Sequence, residues 1–89
     1  MTTYFIQAKL PIDQATIWQL AGIHAEATNG AKLSSLINEE RQETIIKVCT
    51  DYLPEQFLPR SMIVLRIMTD TEECELLLKN DNWYKTNLR

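Results

Sequence analysis

Glycine is scarce in this chain of 89 residues: it occurs only at Gly22 and Gly30, and proline occurs three times. Phosphate-binding loops, dinucleotide-binding turns and the nucleophile elbow of hydrolases each need two or more glycines at fixed, close spacing. The two glycines here are eight positions apart, so none of these patterns is present. The scarcity of both residue types predicts long regular elements in place of a loop-rich scaffold.

Histidine and cysteine are also scarce. His24 is the only histidine, which excludes a two-histidine metal site or a histidine relay within one chain. Cys49 and Cys74 lack the CxxC spacing of metal and redox sites, and we expect two free thiols. Glutamates flank Cys74 at positions 72, 73 and 75, and their charge is expected to raise the pKa of its thiol. The sequence therefore predicts no catalytic residue, no metal site and no cofactor.

Clusters of positive charge and long apolar runs are missing as well. The nine lysines and arginines are scattered singly and the net charge is −3, so nucleic acid is not an expected partner. The aliphatic run "MIVL" at 62–65 is far shorter than the roughly 20 residues of a membrane-spanning helix. The first residues show no basic leader before a long apolar stretch. We expect no membrane contact and a cytoplasmic location.

The clearest elements in the sequence are a strand near 3–10 and a helix near 13–28. Pro11 ends the strand because it has no N–H to donate to a neighbouring strand. Asp13 is a suitable N-cap for the helix, and Asn29 followed by glycine is the usual signal for a helix C-terminus. One face of this helix combines positions 17, 20, 21, 24, 25 and 28.

Residues 34–53 fit two interpretations. As a helix, their apolar side chains recur at spacings of three and four, and Glu43 precedes Lys47 by four positions. As a hairpin, two alternating strands would be joined by "NEERQE" at 38–43. The connecting residues are good helix formers and contain no glycine, so a helix near 34–53 is favoured over the hairpin.

The stretch "SMIVLRIMT" near 61–69 has apolar residues on both faces of a predicted strand, which is typical of a central strand or of one covered on both sides. A short helix or strand near 72–79 follows. Two strands alone rarely form a stable sheet, so either this chain has a third strand or a second chain completes the structure. The predicted fold class is α+β: a small single-layer sheet of two or three strands, near 3–10 and 61–69, packed against helices near 13–28 and 34–53.

We expect residues 1–89 to form a single domain, with a polar tail from about residue 80 that contains two aromatic side chains. Those rings pack either on this domain or on a partner, because an otherwise polar segment needs some contact to become ordered. Aromatic and apolar residues at the edges of elements are typical of protein interfaces. The candidate partner-binding residues are Trp18, Ile23, Phe57, Trp83 and Tyr84.

The sequence favours a non-enzymatic protein–protein interaction or regulatory module that pairs with itself as a homodimer or with another protein. An alternative is a small-molecule-binding or enzymatic subunit with a site formed between chains. His24 and Arg66 are the candidate ligand-binding residues of that site, with Cys49 beside them. A weaker alternative is an acidic inhibitor of a nucleic-acid-processing protein, which rests only on the acidic cluster from Asp70 to Glu75.

Overall fold

The computed structural model describes residues 1–69 and 71–86, which form a five-stranded sheet and three helices. In chain order the elements are β1 (Thr2–Lys9), α1 (Gln14–Thr28), β2 (Ser34–Asn38), β3 (Glu43–Thr50), α2 (Pro54–Phe57), β4 (Val64–Met68), α3 (Thr71–Asn80) and β5 (Tyr84–Thr86). The predicted α+β class is confirmed, as are the strands near 3–10 and 61–69 and the helix near 13–28. Of the two forms expected near 72–79, the structure shows the helix.

The sheet is antiparallel throughout, in the order β4-β1-β3-β2-β5. Side chains alternate between its two faces along the central strands β1 and β3. Ile6 and Ile46 pair on one face, which packs against Leu20 of α1. Ile45 lies on the other face, where it packs with Cys74 of α3. Helix α1 therefore packs on one face of the sheet, together with Phe57 of α2, and α3 packs on part of the other face, so the core is divided into two clusters.

Helix α1 begins and ends where the sequence indicates. The Asp13 carboxylate accepts the backbone N–H of Thr16 at 2.7 Å. This hydrogen bond, followed by one from the Thr16 side chain, lowers the pKa of the Asp13 carboxyl. Asn29 adopts the left-handed conformation, and the N–H of Gly30 donates to the carbonyl of Ala25. The buried positions of the helix are Thr16, Ile17, Leu20, Ala21 and His24.

The helix predicted near 34–53 is wrong, because this stretch forms the hairpin of β2 and β3. The turn is made without glycine. The Asn38 side chain accepts the backbone N–H of Arg41, and Gln42 takes the left-handed conformation with φ 53°. The strand Glu43–Thr50 is rich in β-branched residues and is buried on both faces, which outweighs the helix-forming residues of the turn.

The assignment of the 61–69 strand to the sheet centre is also wrong. β4 pairs with β1 on one side, and within the described residues no strand lies on its other side. Its apolar residues on both faces therefore do not reflect double burial. Three of the large ones, Ile63, Leu65 and Ile67, are exposed.

The segment from about residue 80 folds back on the domain as far as the structure describes it. Strand β5 pairs with β2, with Tyr84 opposite Ile37 and Thr86 opposite Ser35. Trp83 is half-buried and packs against the cluster of Ile45, Met68 and Cys74. Part of the predicted tail is therefore a sheet edge.

Candidate functional site

The open edge of β4 carries the main exposed apolar surface on the sheet. Ile63 is 62% exposed, Leu65 45% and Ile67 41%. Isolated apolar residues are common on protein surfaces, but these three recur at every second position from 63 to 67 along the open edge of the sheet, and we call them the apolar strip. An unpaired strand also presents a row of backbone N–H and carbonyl groups that another strand can bind. We call Ile63–Met68 the β4 edge.

A β-bulge divides the β4 edge. Gln7 of β1 pairs with Arg66, whereas the next residue, Ala8, pairs with Val64, so Leu65 has no partner on β1. Beyond the bulge, the N–H of Lys9 donates to the carbonyl of Ile63 at 2.9 Å. A bulge bends its strand and disrupts regular pairing. The regular part of the edge is therefore Arg66–Met68, with Ile67 at its centre.

Arg66 is the charged residue of the β4 edge, and it lies on the α3 face of the sheet. Its guanidinium donates to the carboxylate of Glu73 on α3 at 3.3 Å, and both side chains are exposed. This pairing accounts for one member of the predicted acidic cluster, while Asp70 lies outside the described residues. The β4 edge thus carries one positive charge beside one negative charge.

His24 is buried in the contact between α1 and β3. Its Nδ1 atom accepts the backbone N–H of Cys49 at 3.0 Å. Burial lowers the pKa of the imidazole, the backbone carbonyl of Lys32 raises it, and the charge of Lys47 lowers it again, with a net decrease. The ring is therefore a neutral part of the core.

The three polar groups of the predicted ligand site are not brought together in one chain. His24 belongs to α1 and contacts the Cys49 backbone on that side, whereas Arg66 lies on the opposite face of the sheet with α3. The Cys49 sulfur contacts the hydroxyl of Thr3 at 3.3 Å. Both cysteines are free and buried. Burial raises the pKa of the Cys74 thiol, and the negative charge of Glu75 raises it further. Such a thiol is a poor nucleophile.

The predicted partner-binding residues are spread over the molecule. Phe57 is 3% exposed and packs against the ring of Tyr4, with centroids 6.2 Å apart, so it presents little surface to a partner. Ile23 is half-buried against the α1-side core. Trp18 and Tyr84 are exposed, on α1 and β5.

Sequence reasoning missed Ile63, Leu65 and Ile67 as surface residues. The available signal was the apolar character of both faces of this strand, which fits burial by either the same chain or a second one. The polar residues that follow the strand gave no indication of its place in the sheet. The order of the strands in the sheet decides between burial by the same chain and burial by a second chain, and it depends on contacts between residues that are far apart in sequence.

Comparison with protein-family models, with curated proteins and with solved structures finds no match to this chain. Among residues 1–69 and 71–86, no helix has the length and apolar character needed to cross a membrane.

Proposed function

We propose that this protein is an interaction module that self-associates through the β4 edge as a two-fold homodimer. The observation that supports the proposal is the exposure of Ile63, Leu65 and Ile67 along a strand that pairs with β1 on one side and, within the described residues, has an open edge on the other. Antiparallel pairing of two β4 strands would join the two sheets and cover these side chains. A two-fold interface uses the same surface on both chains, so one strand is enough to build it.

The charges at this edge favour a second copy as the occupant. Arg66 and Glu73 form an ion pair within each chain, so two copies can approach without net repulsion at this point. A regular register centred on Ile67 places Arg66 of one chain opposite Met68 of the other, where the arginine stem covers apolar surface. It also keeps the two guanidinium groups from lying directly opposite each other.

The size of the strip indicates a weak dimer. From their exposed fractions, the three side chains contribute roughly 250 Å² per chain, against about 800 Å² per partner in a standard stable interface. Backbone pairing of the short regular segment adds to this area. We therefore expect a dissociation constant on the order of 10 µM, with reversible exchange.

Sedimentation velocity from 1 to 300 µM tests the proposal. The buffer is kept reducing because we propose a cytoplasmic location in which both thiols stay reduced. The wild-type sedimentation coefficient is expected to rise with concentration from the monomer to the dimer value. Leu65→Lys places a charge in the strip and is expected to hold the protein in the monomer at every concentration.

The matched control is Leu76→Lys, because Leu76 is also a large exposed residue but lies on α3. This variant is expected to dimerise like the wild type. A monomeric wild type at 300 µM would contradict the proposal. So would a dimer that survives Leu65→Lys and is lost with Trp18→Lys, since that result places the interface on α1.

A further inference from the structure

A pocket of about 210 Å³ opens on the α3 side of the sheet. Its floor is formed by β1, β2, β3 and β5, and its wall by α3. Helix α3 has ten residues and packs through Cys74 on Ile45 and Met68, but it leaves the neighbouring part of the sheet uncovered. The pocket is thus a direct result of a short helix on a wide sheet.

The interior of the pocket is apolar. Phe5 of β1, Leu36 of β2 and Ile45 of β3 contribute side chains from the sheet, and Leu78 and Cys74 contribute them from α3. Strand pairing fixes this arrangement, because Ile45 lies opposite Leu36 on the same face. A volume of 150 Å³ holds a six-carbon ring in an engineered apolar cavity, so this pocket of about 210 Å³ holds about eight non-hydrogen atoms.

Two lysines lie at the border of the pocket. Lys47 pairs across the sheet with Phe5 on one side and with Ser34 on the other, and Lys85 pairs with Leu36. Both lysines are exposed, so their ammonium groups reach the water side of the pocket while their stems border the apolar interior. Among residues 1–69 and 71–86, neither lysine forms an ion pair with a carboxylate.

We propose that this pocket binds an anionic amphiphile: a monocarboxylate whose apolar part of about eight carbons fills the space between α3 and the sheet. The carboxylate would lie at the opening, between the ammonium groups of Lys47 and Lys85. Apolar walls with a few convergent polar groups are the usual composition of a small-molecule site. The two positive charges favour a negatively charged ligand at this pocket, although the net charge of the whole protein is −3.

Titration of the 15N-labelled protein with octanoate tests this proposal, with octan-1-ol and octylammonium as ligands of equal chain length. Octanoate is expected to bind with a dissociation constant on the order of 100 µM and to shift the amide signals of Phe5, Ile45 and Leu78. Signals of Ile17 and Leu20, on the other face of the sheet, should not move. The alcohol and the ammonium compound should each bind at least about fivefold more weakly, because they lose the contact with the lysines.

The variant Lys47→Met/Lys85→Met keeps both stems and removes both charges. It is expected to weaken octanoate binding about five- to tenfold and to leave octan-1-ol binding unchanged. Lys79→Met, on α3 but outside the pocket lining, is the matched control and should bind like the wild type. Equal binding of octanoate and octylammonium, shifts confined to α1, or an unaffected double variant would each overturn the proposal. None of these substitutions touches the β4 edge, so the result is independent of dimerisation.

Discussion

The Nδ1 atom of His24, on α1, accepts a hydrogen bond from the backbone N–H of Cys49, on the central strand β3, at 3.0 Å. An accepting Nδ1 carries no proton, so the imidazole is neutral in this contact. Protonation of Nδ1 would turn this acceptor into an N–H donor, which would then face the N–H donor of Cys49. Together with burial, this contact makes the folded protein resist protonation more strongly than the unfolded chain.

We therefore expect the free energy of unfolding to decrease as the pH falls below about 6.5, the ordinary pKa of histidine in an unfolded chain. The sign follows from the lowered pKa of His24 in the folded state: the unfolded chain takes up the proton first, so acid favours unfolding. The contribution of His24 to the free energy of unfolding is complete above pH 6.5, and it decreases as the pH falls from 6.5 to the lower pKa of the folded state. Urea unfolding at pH 7.0, 6.25 and 5.5 measures the decrease.

His24→Gln supplies the control for this pH dependence. His24 is the only histidine, so the variant should show a flatter profile between pH 7.0 and 5.5, whatever its absolute stability. An NMR titration gives the second measurement, in which the ring of His24 and the amide of Cys49 should titrate together. A ring pKa at or above 6.5 would disprove the explanation.

Local signals predicted the parts of the fold that local interactions determine. The first helix is set by Asp13 at its start and Asn29 at its end, and its buried stripe includes His24 as expected. The two strands predicted from "TYFIQAKL" and "SMIVLRIM" are present, and both stretches are rich in the β-branched, aromatic and apolar residues that favour strands. The position of these strands in the sheet depends on long-range pairing, which no short stretch encodes.

The hairpin of β2 and β3 shows why the middle of the chain was misassigned. Its turn uses an Asn38 side chain and a left-handed Gln42 where most tight hairpins use glycine. Glutamates and arginine in that turn are good helix formers and dominate a prediction from propensity. The asparagine at position 38 was the signal that could have indicated the turn, because this side chain readily accepts backbone N–H groups.

Gln42 holds its left-handed conformation at a steric cost, with its backbone carbonyl accepting the N–H of Leu10 at 2.8 Å. Gln42→Val should destabilise the protein by about 1–2 kcal/mol, because a β-branched side chain tolerates positive φ poorly. Glu40→Val in the same turn is the control, and it should change stability by less than about 0.5 kcal/mol. Thermal and urea unfolding give both values. Equal effects of the two substitutions would contradict this account.

A buried polar pair links β1 and β3. The side-chain amide of Gln7 donates to the Glu43 carboxylate at 2.8 Å, and Lys9 donates to its other oxygen at 3.2 Å. Glu43→Leu should cost about 2–3 kcal/mol because it leaves the Gln7 amide buried without an acceptor. In Gln7→Leu/Glu43→Leu the loss should be at least about 1 kcal/mol smaller than the sum of the single losses. Strict additivity in urea unfolding would show that the two side chains do not depend on each other.

Trp83 anchors the segment that leads to β5, and its indole N–H is buried with no acceptor among the described residues. Trp83→Phe removes that donor and keeps a ring, so stability should stay within about 0.5 kcal/mol of the wild type or increase. Trp83→Ala should cost about 3 kcal/mol through lost packing. Fluorescence of a Trp18→Phe background isolates Trp83, whose emission should be blue-shifted in the folded protein and shift to the red in urea. If Trp83→Ala left unfolding unchanged and the emission were that of a solvated indole, the ring would not pack on this chain.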